Sequence, residues 1–262
     1  MRRLLTASIL VIATTNLALA TEAQAGEWEF SATPLFLWGI SIDGDATIGD
    51  TTAPLNLGFE DDVLENMEAV FTLHVEAKKA KWLIFSEVQY VELEPSSEIS
   101  QDNPPASVED EIDFTNTMVE LGVGYAFVET AKSRWEVIGG ARYTRQELEV
   151  DVDLSPPGPG PSIARDENSD EDWWHGFAGG RLIYSLTDYW TFEGRADYGY
   201  GDSDNTATNA SFFFDYKFND WGSVLAGYRY LDYDYDNDRS GNNHYAYDAK
   251  QQGPLLGLTI RW

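Results

Sequence analysis

The carboxy-terminal stretch GPLLGLTIRW alternates: Leu256, Leu258, Ile260 and Trp262 fall on one parity, and Leu255, Gly257, Thr259 and Arg261 on the other. A period of two separates the two faces of a β-strand. The last residue therefore belongs to a sheet rather than to a frayed tail. The same alternation recurs from residue 27 onward, while helical periodicity is scarce. It predicts about ten strands, at 27–42, 66–79, 81–94, 111–127, 134–152, 172–186, 189–202, 209–219, 221–235 and 245–262.

One parity of each strand is free of charge, as in Phe71, Leu73, Val75 or Val119, Leu121, Val123 or Phe212, Phe214, Tyr216. The other parity holds His74, Glu76, Glu87, Glu120, Glu136, Arg142, Arg181, Glu193, Arg195, Asp197, Asp215, Lys217, Arg229 and Arg261. Aromatic residues on the uncharged parity cluster at two heights. Trp28, Trp82, Trp135, Trp190, Phe127, Phe218 and Trp262 mark one level, joined by Trp221 at a turn, and Trp38, Tyr90, Tyr143, Trp174, Tyr200 and Tyr230 the other. The two levels lie roughly 20–25 Å apart at about 3.3 Å per residue and a tilt near 40°, the height of the apolar band of an outer-membrane barrel. The uncharged face is thus expected to meet lipid and the charged face a polar lumen.

Connections alternate between short ones (78–81, 128–133, 186–188, 219–220) and long ones rich in Asp, Pro, Gly and Ser (43–65, 95–110, 153–171, 203–208, 236–244). That layout describes an all-β, antiparallel up-and-down transmembrane β-barrel with both termini on the short-turn side. Closure removes the exposed sheet edges. The stretch TTAPLNLGF (51–59) could add a hairpin above the membrane, which leaves eight or twelve strands open, and FEDDVLENM (59–67) could form a short helix at the mouth.

Residues 1–25 have a basic start at Arg2 and Arg3, an apolar run and two small-x-small sites, as in a cleaved secretory signal peptide. A cut after Ala25 leaves 26–262 as the barrel domain, and a cut after Ala20 is the alternative. No later stretch is long and apolar enough for a membrane helix. The formal net charge is -28, which argues against a nucleic-acid partner. The absence of cysteine excludes thiol chemistry.

A final strand of alternate apolar residues ending on an aromatic, LLGLTIRW, is similar to the signal that outer-membrane barrels present to their insertion machinery, here through Trp262. PLFLWGISIDGDATIG, GARYTRQELEVDVDL, GYRYLDYDYD and GPLLGLTIRW together resemble a functionally uncharacterised family of small proteobacterial outer-membrane β-barrel proteins. The resemblance implies a place in the bacterial outer membrane, among its lipids and lipopolysaccharide. It carries no activity with it.

The lumenal charges admit two readings. Glu76, Glu120 and Glu193 could pair with Arg142, Arg181, Arg195, Arg229 and Arg261 and fill a narrow interior. Alternatively they line a pore. Ten strands enclose an interior that side chains can largely fill, which favours the first. The acidic long loops could bind divalent cations weakly, alone or with lipopolysaccharide phosphates. An EF-hand beginning at Asp232 fails, because Asn237 and Asn243 stand where Gly and Glu are required. His175, just after Asp170 and Asp172, is the best candidate for a rim hydrolase, with His244 second. The lipocalin-like GEW (26–28) is outweighed by the outward apolar face. The sequence thus predicts a non-enzymatic structural or surface-interaction protein without a cofactor; a narrow pore, a rim hydrolase and a soluble ligand-binding barrel are the alternatives.

Overall fold

The computed structural model describes residues 26–49, 51–58, 67–93, 96–102, 105–155, 163–202 and 205–262. The predicted signal peptide and residues 59–66 of the helical-looking segment lie outside them. In chain order the strands are β1 (Glu29–Trp38), β2 (Ser41–Ile48), β3 (Thr51–Leu57), β4 (Met67–Lys79), β5 (Trp82–Leu93), β6 (Ser96–Asp102) and β7 (Pro105–Glu129). They continue as β8 (Ser133–Ser155), β9 (Ile163–Ser185), β10 (Trp190–Tyr200), β11 (Thr206–Lys217), β12 (Gly222–Asp236) and β13 (Tyr245–Arg261).

Ten of these close into an antiparallel barrel in the order β1-β4-β5-β7-β8-β9-β10-β11-β12-β13, with β13 returning to β1. The seam explains the terminal tryptophan. Ser31 pairs with Arg261 and Ala32 with Ile260, and Phe30 and Trp262 exchange backbone hydrogen bonds of 3.0 and 3.1 Å. Among the described residues no helix is long and apolar enough to cross a membrane; the crossing elements are strands. Leu121, Val123, Val137 and Trp174 each leave more than half of their surface outside the barrel, whereas Glu120 and Arg142 are fully enclosed. An apolar belt facing outward around an ionised interior is the inversion that lipid imposes on a barrel.

Above the belt, three departures from the predicted elements matter. First, β7, β8 and β9 run further than expected, because the predicted loops 95–110 and 153–171 are largely strand. Register pairs such as Val108 with Leu154 and Ile112 with Val150 show the period of two persisting through acidic sequence that reads locally as loop. Second, the predicted strand 27–42 is broken. The β1–β13 register shifts between Leu35 and Leu37, and this bulge turns Trp38 inward, where it is 3% exposed. Trp38 therefore leaves the upper girdle where the pattern had placed it. Third, the chain after Gly39 returns as the hairpin β2–β3, with β2 paired to the upper part of β13 from Tyr245 to Gln252.

Interior packing follows from where glycine sits. The inward position of Gly122 is filled by the Phe85 ring, and a β-carbon on Gly140 would strike the Leu121 carbonyl of the neighbouring strand before it met the Phe177 ring, so neither position has room for one. Leu83, Phe85, Ile138 and Phe177 form a small apolar cluster inside the barrel wall. A larger cluster occupies the long-loop end and gathers Trp38, Ile40, Ile42, Ile48, Trp173, Tyr233, Tyr245 and Tyr247. This second core was not anticipated, since a polar lumen was expected along its whole length.

Candidate functional site: the barrel interior

Inward-facing charges sit on both sides of the Phe85–Phe177 shelf. The guanidiniums of Arg142 and Arg195 lie 5.2 and 5.3 Å from the Phe177 ring centre, and Arg195 lies 5.1 Å from that of Phe85. Such stacking holds a guanidinium at low entropic cost. Arg142 donates from Nε and Nη2 to Glu120 Oε2 at 3.0 and 2.7 Å, and from Nη2 to Asp197 Oδ1 at 2.8 Å. Arg195 reaches Glu120 Oε1 at 2.7 Å and donates from Nε to Asp197 Oδ2 at 2.7 Å. The side chains of Arg142, Glu120 and Asp197 have no solvent exposure.

Toward the short-turn end the network loosens. Glu76 pairs with Arg181, with Lys78 at 2.9 Å and with the His74 Nε2 at 3.1 Å. The other ring nitrogen of His74 is 3.0 Å from Glu87, which also accepts from Arg229. Arg181 donates to Glu193 at 2.9 Å, and Arg134 to Glu136 at 2.6 Å. Arg261 donates to Ser223 Oγ at 2.6 Å and to Asp215 at 3.2 Å. The lumenal network joins Glu76, Glu87, Glu120, Glu136, Glu193, Asp197 and Asp215 to Lys78, Arg134, Arg142, Arg181, Arg195, Arg229 and Arg261, seven of each sign. His74, with a carboxylate at each ring nitrogen, joins the cationic side, so the lumen carries no net negative charge and the chain's large negative charge lies elsewhere.

Toward the long-loop end, aromatic rings replace ions. Trp173 stacks on Tyr235 with centroids 4.0 Å apart. Tyr245 donates to Gln146 Oε1 at 2.8 Å, Gln146 to Asn116 at 3.2 Å, and Gln251 to the Tyr247 hydroxyl at 3.0 Å. Ile40, Ile42 and Ile48, at 1%, 1% and 8% exposure, pack into the same cluster. Tyrosine suits such a layer, because its ring buries apolar area while its hydroxyl finds a partner.

The family described as "Protein of unknown function, DUF481" matches residues 110–247, which span β7 to the start of β13 and cover more than half of the chain. The chain belongs to the DUF481 family. No curated protein matches it. Among solved structures, the DUF481 barrel is similar to the outer membrane protease OmpT of Escherichia coli, at 9% identity and a TM-score of 0.59, over 92% of this chain and 99% of that one. It also aligns with the translocator domain of autotransporter NalP from Neisseria meningitidis, at 13% identity and a TM-score of 0.45, over 92% and 90% of the two chains. The attachment invasion locus protein Ail of Yersinia pestis aligns at 12% identity and a TM-score of 0.35, over 91% and 100%. The OmpT likeness concerns the fold. With its lipid-facing belt, this DUF481 chain is a bacterial outer-membrane β-barrel protein.

The predicted rim site does not assemble in the DUF481 barrel. Asp170 accepts from Arg145 at 2.9 and 2.7 Å on the outer face, whereas His175, an odd number of residues away, points inward. His175 is fully buried, lies 6.3 Å from the Tyr233 ring, and has no hydrogen-bond partner on either ring nitrogen. Alternation separates the two by construction, so closeness in sequence misled here. His244 lies 3.3 Å from Asp236 and 3.2 Å from the Gly49 carbonyl, which ties the β12–β13 connection to the β2–β3 hairpin. Among the described residues no group of His, Asp and Glu could hold a metal ion. The aromatic layer was missed, although a signal was present: continuing the inward parity of β12 past Arg229 reads Leu231, Tyr233, Tyr235.

Proposed function

We propose that this protein is a non-conducting outer-membrane barrel that serves a structural and surface-interaction role, with the lipid-embedded wall carrying a sheet extension above the membrane. One observation carries the reading: the Glu120, Arg142 and Asp197 side chains, hydrogen-bonded to one another inside the barrel beneath the aromatic layer, have no solvent exposure. A conducting pore needs water or weakly held ions along its axis; here each charge is matched by a neighbour. The extension offers carboxylates to the outside. Asp234 lies opposite Asp248, and Asp248 opposite Asp45, in one outward row across β12, β13 and β2. Such a face meets the lipopolysaccharide leaflet through diffuse divalent counterions that bridge its phosphates. No catalytic role is assigned.

The test is single-channel recording on refolded protein in planar bilayers. Silent membranes after confirmed insertion are expected. Steady conductance with a constant unit step overturns the proposal in favour of a narrow pore.

A further inference from the structure

A cavity of about 110 Å³ occupies the short-turn half of the lumen, below the enclosed tier. Side-chain exposure falls along it, from 38% at Arg261 and 27% at Lys78 to 8% at Glu87 and 5% at Arg229. Solvent therefore reaches it from the periplasmic end. At roughly 10–15 Å³ per water-sized probe, the space suits a solute of a few non-hydrogen atoms together with its waters.

The walls are biased in sign. Five Lys and Arg side chains and His74 face four carboxylates, those of Glu76, Glu87, Glu193 and Asp215. His74 counts with the cations, because its ring nitrogens lie 3.0 and 3.1 Å from carboxylate oxygens, which can only accept. Arg181 and Arg195 find further compensation behind the wall in Glu136, Glu120 and Asp197, so the excess is small and positive. One row across three strands gathers it. Ser211 on β11 is opposite both Arg195 on β10 and Arg229 on β12, and all three line the cavity. The one hydrogen bond of Arg229 among the described residues runs from Nη1 to Glu87. Its Nε and Nη2 are not shut off from solvent as the unpartnered Arg142 Nη1 and Arg195 Nη2 are. Arg229 therefore turns free donors to the cavity, whereas Arg195 supplies charge alone. The next row toward the mouth is apolar: Phe213 is opposite Gly227, and its ring lies across the place that a β-carbon would take there.

We infer that this periplasm-facing cavity binds a short-chain monocarboxylate, with its carboxylate on Arg229 and Ser211 and its alkyl end on Phe213. The sign of the walls selects an anion, and the small size of the excess selects a single charge, because a second one would stay uncompensated in a poorly solvated site. A guanidinium fork matches a carboxylate in shape. The apolar row beside it favours a hydrocarbon body over a bare inorganic oxyanion. This inference goes beyond the surface role and does not depend on it, since it concerns only the half of the lumen below the enclosed tier.

The experiment is calorimetric titration of the barrel, refolded in an uncharged detergent, with propionate, propionamide, propylammonium and inorganic phosphate at constant ionic strength. Saturable binding of propionate is expected. Propionamide, which keeps the shape and loses the charge, is expected to bind at least tenfold more weakly, as is phosphate, which keeps the charge and loses the hydrocarbon; propylammonium is expected not to bind. Arg229→Gln is expected to lower the propionate affinity by tenfold or more, and so is Ser211→Leu, which fills the space opposite Arg229 without removing an ion. If either variant fails to regain heat-modifiable gel mobility, the ratios of propionate to propionamide and to phosphate on the wild-type barrel decide. Absence of propionate binding below ~10 mM, or propionamide, phosphate or propylammonium binding as tight as propionate, overturns the inference. Unchanged affinity in a folded Arg229→Gln barrel does so as well.

Discussion

Arg142 satisfies two enclosed carboxylates at once, so its loss is the most damaging single change in the lumen. Arg142→Leu leaves Glu120 and Asp197 to share Arg195 as their one remaining counter-ion in the enclosed tier. Breaking a buried pair from one side costs about 3–5 kcal/mol, and urea unfolding of the refolded barrel is expected to show a destabilisation of that order. Replacing Arg142, Arg195, Glu120 and Asp197 together with apolar residues of similar volume is expected to recover most of it, because no charge of the cluster then remains to be desolvated. The inward parity made these residues legible in the sequence. Their partners were not legible, because strand tilt and stagger decide which side chains meet inside a barrel. Arg229 finds Glu87 at a separation of 142 residues, and Arg181 finds Glu76 across 105. Nothing in local spacing encodes such matches.

At the scale of elements, the hairpin β2–β3 depends on close backbone approach. Gly44 lies against the Asp248 carbonyl, with no room for a β-carbon. Gly44→Ala is therefore expected to detach β2 from β13 and expose the hairpin to protease on intact cells, while the barrel below keeps its heat-modifiable mobility. The outward row of Asp45, Asp248 and Asp234 places like charges opposite one another, an arrangement that costs roughly 0.2–1 kcal/mol per pair. Asp248→Asn is expected to raise the thermal midpoint in chelator-treated buffer; a lower midpoint would mean that the carboxylate is held by a partner of opposite charge. The hairpin was foreshadowed by the strand-like 51–59. The break before it was not, because a bulge that reverses Trp38 leaves the residues on both sides apolar, and the pattern reads as one uninterrupted strand.

For the whole molecule, the lipid belt and the lumen impose opposite demands on neighbouring residues. Leu121 faces lipid midway between the girdles, directly after the enclosed Glu120. Leu121→Arg is expected to cost about 2–4 kcal/mol, the penalty for a cation near the bilayer midplane, as measured by reversible unfolding in vesicles. Swapping the two residues, so that the same composition is presented with the faces exchanged, is expected to prevent insertion altogether. This inversion was the most legible feature of the chain, since it is written once per strand and repeated around the wall. The aromatic core above it was the least legible, because it needs the closed ring to bring Trp173, Tyr233 and Tyr245 face to face.

Strand β13 has two duties. Its lower half is joined to β1 and finishes the wall, and its upper half carries β2 and thereby the roof. A barrel in which β13 is not yet paired is therefore unroofed as well as unsealed. Stitching the wall shut and stoppering its mouth thus hang on the docking of one and the same strand.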